Sequence, residues 1–429
     1  MPGFTLAGCA LGVATAATQI EGGELDTNWH RWAAAGRIPD GTSPVRAADH
    51  WNRVADDIAL LSELGVRHYR MGLEWARLEP APGRFEPKAF AHYRDELTRL
   101  RAAGIAPLVT LHHFNLPGWF VDAGGWLGAA PVPIFLRFVT EVVRQLGDLV
   151  QEWITINEPN VYATQGYLYG VWPPGQRSVP RTIAVMQVLA EAHLAAYGLL
   201  HDLQPSASVG IAHHLRVFAP AQLRNPAHRL ATVTSRHLFQ TAVVEATSRG
   251  RFLAPLRQPR GVRPGRYYDF HGINYYSRTT VSGSRTGVAR GVDVNDLGWE
   301  VYPRGIIALA EEIHSRYPGP IYITENGTCD AGDDFRSRYL YEHLQLIAAS
   351  DLPIQRYYHW CFTDNWEWAE GEAARFGLVH LDFETQRRTV RDSGHFYADI
   401  IANCGVTPAA YDRWVAGQHY PNNAGKGRR

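Results

Sequence analysis

The sequence predicts an α/β fold, a single (β/α)8 TIM barrel over residues 1–429 that forms one domain and ends in a short polar tail from about residue 420. Two observations predict this fold. Apolar, β-branched segments alternate with amphipathic segments along the whole chain, which is the pattern of βα units around a parallel sheet. No low-complexity linker or block of like charge divides the chain, so the units are expected to close one barrel.

The strand-like segments number eight, as a (β/α)8 barrel requires. Three of the segments between them, 49–63, 89–103 and 133–147, repeat apolar residues at helical spacing. A doubly wound parallel sheet is the alternative, but it usually carries a glycine-rich phosphate loop after its first strand, and none is present here. The eight predicted strands are 11–15, 66–73, 106–111, 153–156, 208–212, 270–275, 321–324 and 355–362.

Bulk composition argues against several classes of function. The chain is 45% hydrophobic and 20% charged, as ordinary globular proteins are, and its formal net charge is zero. A neutral chain gives no electrostatic reason to expect nucleic acid or an anionic membrane as a partner. No segment approaches the roughly 20 uninterrupted apolar residues of a membrane span. Lysine occurs only at Lys88 and Lys426, both in polar segments, which disfavours a Schiff-base enzyme such as a class I aldolase.

The four cysteines, Cys9, Cys329, Cys361 and Cys404, are far apart in the sequence and form no CxxC pair. Such spacing favours a reduced, cytoplasmic protein. Residues 6–9 look like a lipoprotein cleavage site, but no basic residue precedes them and the apolar run before Cys9 is too short for a signal sequence. We therefore expect a cytoplasmic location.

Two glutamates directly follow apolar, strand-like segments. Glu158 stands in the sequence TINEP (155–159) and Glu325 in ITENG (323–327). Side chains at the carboxyl ends of barrel strands face the active-site end, and two carboxyl groups about 5 Å apart can cleave a glycosidic bond with retention. Arg70 and Tyr276 are positioned to keep one of them ionised. The alternative is that both are surface glutamates that happen to follow strands.

Further motifs extend this pattern over nearly the full chain. Together with the two glutamate motifs they resemble glycoside hydrolase family 1, the family of retaining β-glucosidases and β-galactosidases. The resemblance implies a (β/α)8 barrel, neither metal nor organic cofactor, and a small β-glycoside or short oligosaccharide as the binding partner. The motifs are ATAATQIEG (14–22), YR (69–70), TLHHFNLP (110–117), GINYY (272–276), GWEVYP (298–303), WCFTDNWEW (360–368) and RFGL (375–378).

The resemblance also implies a role for individual residues. Glu158 matches the acid/base and Glu325 the nucleophile that forms the glycosyl-enzyme. The residues that would support the nucleophile are Arg70, Asn274 and Tyr276. Those that would hold the sugar are Asn157 at the 2-hydroxyl, Gln19, His113, Glu367 and Trp368 at the other hydroxyls, Trp360 under the ring, and Trp299 against the aglycone.

Several of these positions have a competing interpretation. His112 and His113 could be a metal pair, but no carboxylate or cysteine stands nearby at ligand spacing, so we expect a packed His112 beside a sugar-binding His113. Asn326 begins a formal glycosylation sequon, but a glycan there would block the pocket beside Glu325. Trp366 stands where the family usually has Phe, and we expect it in the pocket wall.

Other departures from the family pattern affect the pocket. Glu74 replaces a small residue and shares a strand face with Arg70, so it could compete for that arginine; we expect instead that it pairs with Arg77 or another arginine. Thr18 and Phe114 replace Tyr and Trp, changes that could alter the shape of the pocket. Cys361 stands in place of a typical Ser, and none of these changes removes a catalytic group.

The expected function is that of a retaining exo-β-glycosidase, β-glucosidase-like with side activity on β-galactosides and β-fucosides. A 6-phospho-β-glycosidase is one alternative, although the charge on Glu367 would repel a phosphate and that segment has no lysine. A non-catalytic sugar-binding barrel is another, although both carboxylates are retained. A thioglucosidase is disfavoured because it would be expected to lack the glutamate at position 158. The loop 277–297 is expected to shape the aglycone site.

Overall fold

Eight parallel strands close into a barrel in the computed structural model, which describes residues 3–424. Neighbouring strands pair in sequence order from the first to the eighth, the eighth pairs with the first, and the fifth pairs with the sixth to complete the closure. All eight strands predicted from the sequence are present, so the (β/α)8 prediction is confirmed. The strands are β1 (Ala10–Ala14), β2 (His68–Gly72), β3 (Ala106–His112), β4 (Glu152–Asn157), β5 (Ser208–Pro220), β6 (Phe270–Ser282), β7 (Ile321–Asn326) and β8 (Ile354–Trp360).

Helices follow the strands and cover the outside of the barrel. The three predicted segments form helices whose ends differ from the prediction by one or two residues. The fifth helix is interrupted by a π-helical turn, His237–Thr241. The helices are α1 (His50–Glu63), α2 (Pro87–Ala102), α3 (Pro131–Leu146), α4 (Val179–Leu203), α5 (Pro226–Arg236, continued as Ala242–Arg249), α6 (Arg304–Arg316), α7 (Arg336–Ala348) and α8 (Asp392–Asn403).

Short strands and helices lie outside the eight barrel strands and their main helices. Phe4–Thr5 pairs with Gly405–Val406, Val379–Leu381 pairs with Arg388–Val390, and Arg285–Gly287 pairs back onto β6. The short helices and helical turns are Ala17–Ile20, Asn28–Ala34, Trp75–Leu78, Gly118–Asp122, Gly125–Leu127, Pro159–Ala163, Thr164–Tyr169, Trp368–Glu370 and Pro408–Trp414.

Helix α3 shows why these sequences form barrel helices. It begins with Pro131, whose missing N–H is harmless in the first turn, and ends before Gly147. Phe135, Phe138 and Leu146 recur on one face and are fully buried against the barrel. The period of the apolar residues therefore decides which face of the helix packs inward.

Strands β5 and β6 continue far beyond their predicted ends. The sequence predicts that they stop at residues 212 and 275, but they reach Pro220 and Ser282 and stay paired from Val217 to Pro220. The additional pairing forms a two-stranded projection above the rim of the barrel. Its inner face adds side chains to the wall of the pocket described below.

Helix α4 is long and apolar enough to cross a membrane by length and composition alone. Charged residues interrupt it, however: Arg181, Glu191 and Asp202 lie within the helix. It therefore contains no run of roughly 20 uninterrupted apolar residues. Half of its most apolar 18-residue stretch is buried in the structure, where α4 packs against α3 and β4. The apolar residues on that face therefore belong to the packing around the barrel.

The predicted C-terminal tail lies partly outside the described residues. Its first residues pack on the barrel, since the backbone N–H of Val294 donates to the carbonyl of Pro421 and Asn423 donates to the carbonyl of Ala289. Residues 425–429, which include Lys426, are outside the part of the chain that the structure describes.

Candidate active site

The carboxyl ends of the barrel strands surround a cavity of about 150 Å³. Each strand or the loop after it contributes at least one polar or aromatic side chain, as the (β/α)8 architecture requires of an active site. The predicted residues that line the cavity are His113, Glu158, Tyr276, Trp299, Glu325, Trp360, Glu367 and Trp368. The other four, Gln19, Arg70, Asn157 and Asn274, are fully buried and hydrogen-bonded to one another or to this lining.

Glu325, at the end of β7, has both carboxylate oxygens fixed. Arg70 donates from Nη1 to Oε1 at 2.6 Å, and the Tyr276 hydroxyl donates to Oε2 at 2.6 Å. Both donors are buried beside it, so their hydrogen bonds are not weakened by competing water. The carboxylate is therefore held in one orientation next to a positive charge.

Arg70 lies inside the barrel, and each of its three guanidinium nitrogens donates at least one hydrogen bond there. Besides Glu325 it donates to Asn157 Oδ1 at 2.6 Å, to the carbonyl of Thr324 at 3.0 Å and to Thr110 Oγ1 at 3.3 Å. A buried cation without an anion costs several kcal/mol, so Arg70 stabilises the fold only while Glu325 is ionised. Arg70 and Glu325 are the ion pair at the centre of the site.

Glu158 follows β4 at the start of the helical turn Pro159–Ala163. Its φ of 44° lies in the left-handed region, which is strained for a residue with a side chain. Its Oε1 accepts hydrogen bonds from Asn274 Nδ2 at 2.8 Å and from His214 Nδ1 at 3.0 Å. Unlike Glu325, Glu158 has no arginine hydrogen-bonded to it.

His214 lies between Glu158 and Arg216. Arg216 Nε donates to His214 Nε2 at 3.2 Å, so Nδ1 carries the hydrogen that His214 donates to Glu158. Burial alone would raise the pKa of Glu158, but its interactions with His214, Asn274 and Arg70 hold that pKa below its ordinary value.

The two glutamates influence each other through their charges. Burial raises the pKa of Glu325 to about 7 against the attraction of Arg70, and the negative charge of Glu158 contributes to this rise. Protonation of Glu158 would remove that repulsion, after which Arg70 and Tyr276 favour the ionised form of Glu325.

Asn157 connects the two glutamates to the rest of the pocket. Its Oδ1 accepts from Arg70 and from Asn274, and its Nδ2 lies 3.0 Å from His113 Nε2. Burial and the charge on Arg70 hold the pKa of His113 well below its usual range, so His113 is neutral and accepts this bond. Asn157 keeps one further N–H available for a ligand.

Gln19 and Glu367 form a second polar group at the opposite wall. Gln19 Nε2 donates to Glu367 Oε2 at 3.1 Å and to Asn365 Oδ1 at 2.9 Å. Burial, followed by the nearby negative charge of Glu325, raises the pKa of Glu367 to about 8.

Aromatic rings form the remaining walls. His113 stacks with both Trp360 and Trp368, each with ring centroids 5.9 Å apart. Trp299 stands at the mouth, where it is 37% exposed and meets Tyr276 edge-on at 5.7 Å. Flat apolar faces beside hydrogen-bonding groups suit a sugar ring, which has an apolar face and a polar edge.

Glu74 does not behave as predicted. The sequence predicts a pair with Arg77 or another arginine, but Glu74 instead accepts from Thr18 Oγ1 and Asn115 Nδ2, each at 2.7 Å. Arg77 donates to Glu21. Glu74 also caps the short helix Trp75–Leu78 by accepting from the backbone of Ala76. The polar substitution at position 18 thus supplies a partner for the unusual glutamate.

The other alternative interpretations are decided by burial. His112 packs against Trp126 and Tyr162, and no group of three potential metal ligands occurs within residues 3–424. Asn326 is fully buried and donates to the carbonyl of Tyr275, so the sequon cannot accept a glycan in the folded protein. Trp366 was expected in the pocket wall, but it does not line the cavity; it is fully buried behind the wall, against Trp29 and Trp368.

Several residues of the cavity wall are not found by the sequence analysis, among them Gln165, Trp172, His214 and Arg216. His214 and Arg216 lie beyond residue 212, where β5 is predicted to end. Continued alternation along the strand would have placed both on the face of the pocket. Trp172 lies in an irregular segment and packs against Phe114 at 4.9 Å, so it fills space beside the smaller aromatic residue at position 114.

Comparison with known proteins shows the family of this chain. The profile of Glycosyl hydrolase family 1 matches residues 7–406. The chain belongs to glycosyl hydrolase family 1. As a member of this family it is a glycoside hydrolase and a β-glycosidase.

Two relatives show how far the similarity to family 1 extends. Beta-glucosidase A of Thermotoga maritima is 32% identical over 92% of this chain and 97% of its own length. The Beta-glucosidase of an Agrobacterium species is 32% identical over 91% of this chain and 94% of its own length. A solved structure of the Beta-glucosidase from Thermotoga maritima in complex with glucoimidazole superposes with a TM-score of 0.87, at 31% identity over 95% of this chain and all of that one.

Proposed function

We propose that this family 1 member is a retaining exo-β-glycosidase, β-glucosidase-like, that acts by double displacement through a glycosyl-enzyme. The observation that carries the proposal is the different environment of the two glutamates. Glu325 has an arginine and a tyrosine on its carboxylate, whereas Glu158 accepts from an asparagine and a histidine and has no arginine on it. A retaining glycosidase needs this difference between an ionised nucleophile and a protonated acid.

In the first step Glu325 attacks the anomeric carbon while Glu158 donates its proton to the departing oxygen. The carbon–oxygen bond to the leaving group breaks and an ester bond to Glu325 forms. In the second step Glu158, now ionised, removes a proton from water, which attacks the anomeric carbon and releases Glu325. Two carboxyl groups and one water complete the cycle, so no metal or organic cofactor is required.

The remaining residues would hold the sugar. The free N–H of Asn157 is proposed to bind the 2-hydroxyl, a contact that strengthens in the transition state. Gln19, His113, Glu367 and Trp368 are proposed to bind the other hydroxyls, Trp360 to support the ring, and Trp299 to contact the aglycone. A cavity of about 150 Å³ with a floor of buried side chains favours a single terminal sugar, which is the basis of the exo assignment.

Further parts of the proposal rest on the sequence. We propose that residues 1–429 act as one catalytic domain in the cytoplasm on small β-glycosides or short oligosaccharides, with side activity on β-galactosides and β-fucosides. A 6-phospho-β-glycosidase is less consistent with the site, because Glu367 lines the sugar pocket and makes no ion pair within the described residues.

Two measurements test this proposal. Nitrophenol release from p-nitrophenyl β-glucoside, β-galactoside, β-fucoside and β-glucoside 6-phosphate ranks the sugars, with Glu325→Ala as the inactive control. Proton NMR of the first-formed sugar tests retention, because a double displacement releases the β-anomer before mutarotation. Release of the α-anomer, or near-normal turnover by folded Glu325→Ala, would contradict the assigned mechanism.

A further inference from the structure

Arg216 is an arginine at the mouth of the catalytic pocket that has no acidic partner. It lies on the projecting part of β5, where its Nε donates to His214 and its guanidinium packs 4.8 Å from the centre of the Phe239 ring. Within residues 3–424 no carboxylate oxygen lies within 4.0 Å of its guanidinium, and neither Nη group makes a hydrogen bond. Its other neighbours are mainly apolar.

This isolation differs from the other arginines around the barrel mouth. Arg70 pairs with Glu325, Arg77 with Glu21, and Arg278 with Glu300. Arg216 is half-buried, and burial lowers the pKa of its guanidinium although Tyr169 and Glu158 act in the opposite direction. An anionic ligand could pair directly with this charge. The two free Nη groups present the fork that binds an oxyanion through two hydrogen bonds.

A second cavity of about 330 Å³ begins on the far side of Arg216. Its walls are largely apolar and include Ile183, Met186, Leu238 and Phe239. Val161, Gln165 and Arg216 line both this cavity and the catalytic pocket, so the two spaces share a wall. Cavities of this size and character hold small organic ligands.

The position of the leaving group in the proposed reaction relates the catalytic pocket to the second cavity. Glu158 gives its proton to the oxygen of the leaving group, so the leaving group lies on the side of Glu158. From Glu158 the hydrogen bonds run to His214 and then to Arg216, over 3.0 Å and 3.2 Å. A leaving group of one or two rings, attached to the sugar, therefore extends toward Arg216 and the apolar cavity.

We propose that Arg216 and this apolar cavity form a binding site for a leaving group with an apolar body and an anionic substituent, such as a carboxylate or a sulfonate. The proposal rests on the proposed roles of Glu158 and Glu325. Before the first step Glu158 is neutral, so no charge on it repels the incoming anion. The substrate class is then an aryl or alkyl β-glycoside that carries an acidic group on its aglycone.

Matched substrate pairs test the proposal. We would compare carboxyphenyl and carbamoylphenyl β-glucosides at the ortho, meta and para positions, because each pair has the same shape and differs in charge. The quantity measured is the ratio of kcat/KM for the acid to that for the amide. A sulfophenyl and sulfamoylphenyl pair shows whether the site distinguishes one oxyanion from the other. The ratio cancels any common effect of a substitution on Glu158 through His214.

Arg216→Met is the test variant, and Arg285→Met is the matched control. Arg285 is exposed, lies between two residues of the cavity wall and does not itself line the cavity. For at least one ring position the acid-to-amide ratio should fall about tenfold or more in Arg216→Met, since hydrogen bonds to charged groups are strong. It should change less than twofold in Arg285→Met. Arg216→Lys, which keeps the charge without the fork, should give an intermediate ratio and covers the case in which Arg216→Met does not fold.

A ratio that stays within twofold of wild type at every ring position in both Arg216 variants would overturn the proposal. Calorimetric titration of the same pairs into Glu325→Gln keeps this test independent of turnover. Tighter binding of the acid that requires Arg216 would support the site even if the catalytic assignment failed. Equal binding of acid and amide, with normal hydrolysis of the neutral glucosides, would refute the site alone.

Discussion

Replacing Tyr276 by Phe removes one hydrogen bond from the proposed nucleophile and keeps the ring. The hydroxyl donates to Glu325 Oε2 at 2.6 Å in a buried site, so the bond is short and charge-assisted. Hydrogen bonds to charged groups contribute about 1.5–3 kcal/mol. Since a change of one pKa unit corresponds to about 1.36 kcal/mol, loss of this hydrogen bond should raise the pKa of Glu325 by roughly one to two. Fewer molecules then hold Glu325 ionised in mildly acidic solution.

The assay is the pH dependence of kcat/KM for p-nitrophenyl β-glucoside, because its acidic limb reports the carboxylate that must be ionised in the free enzyme. The limb should move to higher pH in Tyr276→Phe. Tyr275→Phe is the matched control: it is the neighbouring residue of β6, and its hydroxyl bonds to the carbonyl of Tyr302 instead. An unmoved limb in Tyr276→Phe, or an equal shift in Tyr275→Phe, would refute the reasoning.

Three further predictions follow from the site. Glu158→Ala should slow glycosides with poor leaving groups far more than nitrophenyl glycosides, because acid assistance matters less when the leaving group departs easily; equal losses in kcat on both would argue against the acid role. Glu367→Gln should unfold at a higher temperature than wild type, by a margin that grows between about pH 4.5 and about pH 8 and is constant above that. The folded pKa of about 8 exceeds the ordinary 4.5, so stability from Glu367 is fully present below 4.5 and lost as pH rises through 8. This difference corresponds to roughly 5 kcal/mol at most, and calorimetric scans from pH 5 to 9 that ran parallel for both proteins would contradict it. Glu74→Gln should lower the free energy of unfolding by about 1–3 kcal/mol, because Thr18 and Asn115 lose a charged acceptor. Both limbs of its pH–rate profile should stay in place, and a displaced limb would mean that Glu74 titrates with the site.

Much of the barrel could be predicted because it depends on local patterns. Each strand is a short apolar segment, and each predicted helix has a periodic apolar face, as in α3. The predicted ends of β5 and β6 were less accurate. Their extensions, Val217–Pro220 among them, are stabilised by pairing with each other, and pairing between distant segments leaves no local signal.

The two proposed catalytic glutamates and the residues that support them could be found from sequence motifs. The hydrogen-bond partners of the acidic residues could not all be predicted in this way. Glu74 was expected to find an arginine, because charge alone cannot show that Thr18 and Asn115 would lie closer. His214 was missed because it became relevant only when β5 continued past residue 212. In both cases the deciding contact joins residues tens of positions apart.

The sequence by itself determined the number and order of the strands, the family, and the two glutamates at the strand ends. These are properties of short segments, whose apolar period and flanking residues are readable in one dimension. Only the tertiary structure decided how the surroundings of the two glutamates differ, because these depend on Arg70 beside Glu325 and on His214 and Asn274 beside Glu158. Electrostatic interactions act through a few ångströms of space regardless of separation along the chain, so the folded barrel alone brings these charges within reach of one another.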